Sequence, residues 1–262
     1  MNLSLHDLAD ANLIEATREH ARWQEPCECV EEDGVLMVAG ANPLPLAFRN
    51  CVARVDTSVP ACEVLGRARD FFARRGRGFV VLLQEKRDTD LDAAAVAAGL
   101  APNGEIPCML IDAPLAEPTI PAGVRVERFS AERHVHDAVQ VVAEAYEALK
   151  LPAQEARLYF GRPSALLSPR VEGFVAYRGD RPVSTALTIM SGEGAGVYRV
   201  GTASEARRAG LGELCTRLAT NAGFAKGARV VTLQASPFGE PIYRKLGYRS
   251  FDRLRRYRHP AP

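Results

Sequence analysis

The sequence predicts an α/β chain made of two similar strand–helix–strand units joined by a proline-rich linker. A strand-like RV-x-T occurs twice, in "RVDTSVPACEVLG" at 54–66 and in "RVGTASEARRAGLG" at 199–212. Each leads through a helix into a matched block, "FARRGRGFVVLLQ" at 72–84 and "FAKGARVVTLQ" at 224–234, and then into a short helix ending in glycine, at Gly99 and Gly247. Between the halves, "APLAEPTIPAG" at 113–123 holds three prolines. Proline removes backbone donors and favours extended chain, which marks a linker. The repetition reads as a degenerate duplication; chance likeness between common strand–helix–strand units is the alternative. The chain divides as 1–112, the linker 113–123, and 124–262.

Residues 5–22 place Leu5, Leu8, Ala9, Leu13 and Ala16 at helical spacing. Asp33-Gly34 marks a turn between strands, and "VLMVAG" and "CVARVD" read as strands. A helix from about Pro60 to Arg75 opens at a proline, which the first turn tolerates. "GFVVLLQE" is a buried strand, "LDAAAVAAG" a short helix closed by Gly99, and "CMLID" the last strand of this half. After the linker, "VRVERF" is a strand and "AERHVHDAVQVVAEAYEAL" a helix with Ser130 as its cap. "AQEARLYF" is a weaker helix. "GFVAYR" and "PVSTALTIM" form a hairpin across Gly179-Asp180, and "SGEGAG" at 191–196 is the next hairpin connection. "GAGVYRVGT" is a strand, Gly210 to Phe224 a helix, "RVVTLQA" a strand and "GEPIYRKLG" a helix. The remainder is a strand pair or an extended tail.

Composition excludes several function classes. Lys plus Arg is 33 against 32 for Asp plus Glu, so no global basic field recruits nucleic acid or an anionic membrane. Basic residues crowd "YRSFDRLRRYRH", read as an edge strand guarded by charge, with a binding patch as the other reading. No apolar run approaches the ~20 residues of a membrane span. The polar, acidic start is no signal peptide, so a cytoplasmic protein is expected. Cys51, Cys62, Cys108 and Cys215 read as small buried hydrophobes. Cys27 and Cys29 form a lone C-x-C, and His134 and His136 point to different helix faces, so no metal site is expected.

The halves differ where chemistry is expected. Thr57 to Phe72 spans 15 positions and Thr202 to Phe224 spans 22, and the extra residues fall on "EARRAGLG". Where the second half has Tyr243, four before Gly247, the first has Ala95, four before Gly99. Arg207, Arg208, Ala209, Gly210, Leu211, Gly212 and Glu213 lie between a strand and a helix. The first N–H groups of a helix have no intrahelical partner, the dipole adds positive charge, and glycine lets backbone approach a ligand. Together these make a cradle for a pyrophosphate. A Walker loop needs G-K-[ST], but Glu213 and Leu214 follow Gly212; a dinucleotide fingerprint needs glycine where Cys215 stands.

The [QR]-x-x-G-x-[GA] pattern of Arg207, Gly210 and Gly212 after "VYRVGT", followed by "LQASPFGEPIYRKLGY" at 233–248, resembles the GNAT acyltransferase superfamily. The likeness covers about 122–258, and the first half looks like a degenerate copy, as in tandem GNAT proteins. The resemblance implies two GNAT-like units, each a mixed, mostly antiparallel sheet flanked by helices. It implies acetyl-CoA as co-substrate, its pyrophosphate on the backbone of Arg208 to Glu213 and its pantetheine arm paired with Val200, Gly201 and Thr202. A backbone N–H near Val200 would stabilise an oxyanion, and Tyr243 would protonate the thiolate. Tyr243 also reads as an aromatic packed under its helix, and Gly201 as a simple bulge. Ser236 stands where many relatives have an asparagine on the pantetheine arm.

The general base is not legible; Glu172, Glu193 and Glu205 qualify only by proximity to the strands and loop. The expected function is an acetyl-CoA-dependent N-acetyltransferase acting on a small-molecule or peptide amine through a tetrahedral intermediate, as a monomer or homodimer, with neither nucleic acid nor membrane as partner. The alternative is a non-catalytic acyl-CoA sensor.

Overall fold

The computed structural model describes residues 3–261. The first half runs α1 (Leu5–Arg22), β1 (Glu28–Glu32), β2 (Val35–Ala39), β3 (Asn50–Arg54), α2 (Ala61–Ala73), β4 (Phe79–Gln84), α3 (Thr89–Ala97) and β5 (Ala101–Ile111). The second runs β6 (Val124–Arg128), α4 (Glu132–Glu147), α5 (Ala153–Arg157), β7 (Val171–Arg178), β8 (Arg181–Ser191), β9 (Gly194–Thr202), α6 (Leu211–Ala225), β10 (Val230–Gln234), α7 (Glu240–Lys245) and β11 (Arg249–His259). All strands join one 11-stranded sheet in the order β1-β2-β3-β4-β11-β5-β10-β9-β8-β7-β6. Pairing is antiparallel except for β3 with β4 and β9 with β10. Each parallel pair is bridged by a helix, as a parallel crossover requires. The repeated sequence blocks therefore fold as one repeated β–α–β unit.

The last strand of each half lies in the other's territory. β5 pairs with β10, and β11 pairs with both β4 and β5. Helices cover both faces. On one, α2 and α3 bury Val64, Phe72 and Leu91 against β2–β4, and α6 and α7 bury Cys215, Ala219 and Leu246 against β9 and β10. On the other, Leu8, Leu13 and Ala21 of α1 pack on strands of both halves, including Leu36, Val80, Leu110 and Val230, and α4 buries Val135 and Val142 beside them.

Local chemistry explains the predicted elements. Asp33 and Gly34 have φ of 43° and 76°, the pair of positive values that a two-residue hairpin turn between β1 and β2 needs. Gly194 and Gly196 lie in β9 itself, where α1 crosses: a Cβ at Gly194 would sit 2.9 Å from Leu8 O.

Four expectations are corrected. The helix α4 is capped by Ala131; Ser130 instead gives its backbone N–H to His134 Nδ1 at 3.1 Å. Cys62 is exposed at the start of α2, whereas Cys51, Cys108 and Cys215 are buried. The C-terminal stretch is one strand, not a pair or a tail. It is also not an edge: β11 lies between β4 and β5, and its charges are taken up by neighbours, Arg253 by Glu105 at 2.7 Å and Arg255 by Asp92 at 2.6 Å.

Candidate functional site

The site starts where the sheet opens. β9 pairs with β10 only from Gly194 to Gly196, opposite Val230 to Thr232, although β9 runs on to Thr202. On its other side β9 stays paired with β8 as far as Ser184 opposite Thr202. The register slips by one residue between Tyr198 and Gly201, and Arg199 there has φ of 53°. This bulge re-aims side chains as it bends the strand. Tyr198 and Arg199 both reach α1: the Tyr198 hydroxyl donates to Asn12 Oδ1 at 2.9 Å, and Arg199 Nε donates to His20 Nε2 at 3.0 Å.

From Thr202 the chain turns through Ser204–Ala206 into the glycine loop. Arg208 and Gly210 have φ of 62° and 74°. The first intrahelical bond of α6 runs from Leu214 N–H to Gly210 O, so the N–H groups of Leu211, Gly212 and Glu213 precede it. Gly210 is needed for its φ, since a Cβ there would meet nothing within 4 Å. Gly212 is needed for space: a Cβ there would sit 3.1 Å from Thr202 Oγ1. Glu213 would oppose an anion, but Arg217 at 3.0 Å and Lys245 at 3.2 Å engage its carboxylate and hold its pKa below the usual range.

A cleft of about 440 Å³ joins these parts. Val200, Gly201, Thr202, Arg207, Arg208, Gly210, Leu211, Gly212, Glu213, Ser236 and Tyr243 all line it; Ala209 does not. The room left by Gly201 is used by α4, since a Cβ there would lie 3.2 Å from Ala145 Cβ. Ser236 accepts the Gly239 N–H on its hydroxyl at 3.2 Å and the Glu240 N–H on its carbonyl at 2.9 Å, fixing the start of α7. Tyr243 is 7% exposed, packed on the backbone of Gly239 and 6.0 Å from the Tyr248 ring. Burial, with Tyr146 nearby, pushes its pKa above the ordinary phenol value, so its hydroxyl keeps its proton.

Sequence reasoning missed the wall opposite. Ala145 and Tyr146 come to the cleft from the end of α4 and Leu149 from just beyond it, and Phe238, 67% exposed, also lines it. Helical spacing marks α4 but not what its last turn faces. Glu172, Glu193 and Glu205 do not line the cleft; they pair with Lys226 at 2.5 Å, Arg229 at 3.2 Å and Arg181 at 2.8 Å. A larger hollow of about 700 Å³ lies between α1 and the first half's strand ends, at Asp10, Val55, Thr57, Lys86, Arg87 and Asp252. Neither glycine nor tyrosine lines it. Among the described residues no helix is long and apolar enough to cross a membrane.

Residues 153–259 match the family model described as an acetyltransferase (GNAT) domain. Curated protein sequences give no match to the chain. Among solved structures, a GCN5-related N-acetyltransferase from Kribbella flavida superposes with a TM-score of 0.72 at 22% identity, over 100% of this chain and 96% of that one. A tandem GNAT protein from the clavulanic acid biosynthesis pathway gives 0.65 at 14% identity, over 99% and 97%. A GCN5-related N-acetyltransferase from Sphaerobacter thermophilus gives 0.58 at 15% identity, over 99% and 94%. At these identities the superpositions speak for the fold, and the family match speaks for the second half. Residues 153–259 thus match the model of a GNAT acetyltransferase domain, and the chain as a whole has a fold similar to that of solved GCN5-related and tandem GNAT proteins.

Proposed function

We propose that this chain is an N-acetyltransferase that takes its acetyl group from acetyl-CoA and delivers it to an amine by direct attack. One observation carries the reading: the parted end of β9, the α6 N-terminus and Tyr243 line a single cleft. The residues there fit coenzyme A. Backbone N–H groups of Leu211 to Glu213, which precede the first intrahelical bond, would hold the phosphates at the positive end of the helix dipole, and positive φ at Arg208 and Gly210 turns the loop that leads to them. The strand Val200–Thr202, no longer paired with β10, offers its edge to the pantetheine amides as a strand partner would.

When bound, acetyl-CoA supplies a thioester. The backbone N–H of Val200, at the bulge, would be the donor for the oxyanion that develops on the thioester carbonyl. Tyr243, held protonated by burial, would give its proton to the departing sulfur. Asn12 of α1 holds the opened strand in place from the far side through Tyr198. The division into 1–112, 113–123 and 124–262 assigns catalysis to the last part and architecture to the first.

The test is thiol release from acetyl-CoA against a panel of amines, beside calorimetric titration of coenzyme A. Turnover on any amine with binding at the loop supports the reading. Binding without turnover on any amine would leave a sensor, and no binding would remove the donor assignment.

A further inference from the structure

The two RV-x-T stretches each begin with an arginine, Arg54 and Arg199. Their surroundings differ in one respect. Arg54 is 1% exposed, and its guanidinium meets two carboxylates, Asp88 at 3.0 Å and Asp90 at 2.7 Å. Arg199 pairs with no carboxylate among the described residues, and burial weighs against its charge. Its Nε donates to His20 Nε2, while His20 Nδ1 lies 2.6 Å from Ala16 O; that pattern assigns the His20 proton to Nδ1 and leaves the ring neutral. Its guanidinium lies 4.2 Å over the Tyr159 ring and interacts with Tyr146. Its Nη2 is closed to solvent and has no partner.

A second guanidinium shares the Tyr159 ring, and a third lies farther off. Arg49, fully buried, lies 4.4 Å over the same ring, with Nε unpartnered. Arg256 lies within electrostatic reach of Tyr159, and its Nε is also unpartnered. Against these three cations stands one carboxylate, Glu155, on Arg49 at 2.5 Å. A buried charge without a partner is costly, and groups left unmatched in a fold mark a place where something else completes them. The cluster adjoins the cleft: Arg199 immediately precedes Val200, Tyr146 lines the cleft, and Arg199 and Arg256 each keep part of their surface exposed.

We infer that the acceptor carries a carboxylate as well as its amine, and that Arg199, with Arg49 on the same Tyr159 ring, grips that carboxylate beside the opened strand. The inference rests on the reading of the cleft as an acyl-transfer site. In the first half, protein carboxylates fill this role and no ligand is called for; in the second, the arginine is left for one. The aromatic walls of Tyr159 and Phe160 and the few free donors suit a singly charged group on an apolar stem.

The test uses the full chain, with and without coenzyme A. Butyrate, glutarate, 3-phenylpropionate and inorganic phosphate are titrated at matched ionic strength, read by calorimetry and thermal shift. Separately, amino carboxylates are compared as acceptors with the same compounds as primary amides. The carboxylates should bind and raise the melting temperature, and the acids should exceed their amides by about tenfold or more in kcat/KM, the effect of one charge-assisted contact. Arg199→Met should abolish both, with coenzyme A affinity unchanged; Arg199→Lys, which keeps the charge, should restore part. Arg199→Gln, which keeps a hydrogen-bonding side chain and removes the charge, gives a second reading should Arg199→Met not fold. Equal turnover of acids and amides, or no carboxylate binding by a protein that binds coenzyme A, overturns the inference. Phosphate binding more tightly than every carboxylate overturns the choice of anion. Carboxylate binding without coenzyme A binding upholds the anion site and removes the donor reading instead.

Discussion

The two β–α–β units share a fold and differ at the opening. In the first, β3 pairs with β4 up to Ala53 opposite Leu82, one residue short of the end of β3. The backbone beyond is then sealed by the protein. The N–H groups of Val55 and Asp56 both go to Gly34 O, and Arg87 takes the carbonyls of Arg54 and Val55. The approach to α2 is short and carries Asp56, which accepts the Ser58 N–H at 2.8 Å. In the second unit, β9 continues six residues past its last partner on β10 and runs into a loop with two positive-φ residues. One unit closes its parallel pair with its own side chains, and the other leaves the gap open and lines it. A repeated β–α–β scaffold therefore need not repeat a cleft, because the cleft depends on a few residues that keep the gap unfilled.

The comparison breaks most sharply at the loop. Gly210→Asp places a fixed negative charge in the cradle. Coenzyme A affinity should fall by about 100-fold or more, since setting like charges together costs several kcal/mol. Unchanged affinity by calorimetry sinks the loop assignment. Next in size is Tyr243→Phe, which gives the second unit the first unit's lack of a hydroxyl at this position. Turnover should drop by a factor of about 10²–10⁴, the range for a general acid, with little change in coenzyme A affinity. The pH profile adds a sign. Because burial raises the Tyr243 pKa, the wild type should show rate rising as the acceptor amine loses its proton, with no alkaline decline from tyrosine ionisation below about pH 10. A descending limb centred near pH 8–9 that disappears in the phenylalanine variant would show an acid less buried than this one.

A gentler test counts sites. The sealed first unit should take up no coenzyme A, so titration should saturate at a single equivalent. A second equivalent that survives Gly210→Asp would place a working cradle in the first unit.

Much of this site was legible in the sequence because its chemistry is local. A glycine between a strand and a helix reports a backbone need, and Arg207, Gly210, Gly212 and Tyr243 stand at fixed offsets from the strands and helices that carry them. Eleven of the twelve residues expected at the site line the one cleft, and Ala209 packs behind the loop. What was not legible is tertiary. The helix α1 shows an apolar stripe but not that it crosses to β8–β10 and clamps Tyr198 through Asn12. "YRSFDRLRRYRH" looks like an edge because its charges alternate with apolar residues, and only the exchange of β5 and β11 makes it central. The contrast between Arg54 and Arg199 was hidden for the same reason: Asp88 and Asp90 lie more than thirty residues beyond Arg54, and what matters at Arg199 is that no counterpart reaches it.

The smallest expected effect lies in the first unit's hollow, where Asp10 sits between α1 and the strand ends. Burial is the main cause that raises its pKa to about 6; Arg87 opposes the shift and Asp252 adds to it. Gln84 donates to Asp10 Oδ1 at 2.6 Å. The folded state therefore favours the protonated acid. That contribution is complete below the ordinary carboxylate value near 4 and is lost as pH rises through about 6. Above that, the ionised carboxylate weakens the fold. Two pKa units correspond to roughly 3 kcal/mol, and partial exposure reduces this to about 1 kcal/mol. Asp10→Asn keeps an acceptor for Gln84 and removes the charge. It should raise the melting temperature by about 2–4 °C at pH 7.5 and leave it unchanged near pH 4. An equal gain at both values would mean that Asp10 does not ionise in this window.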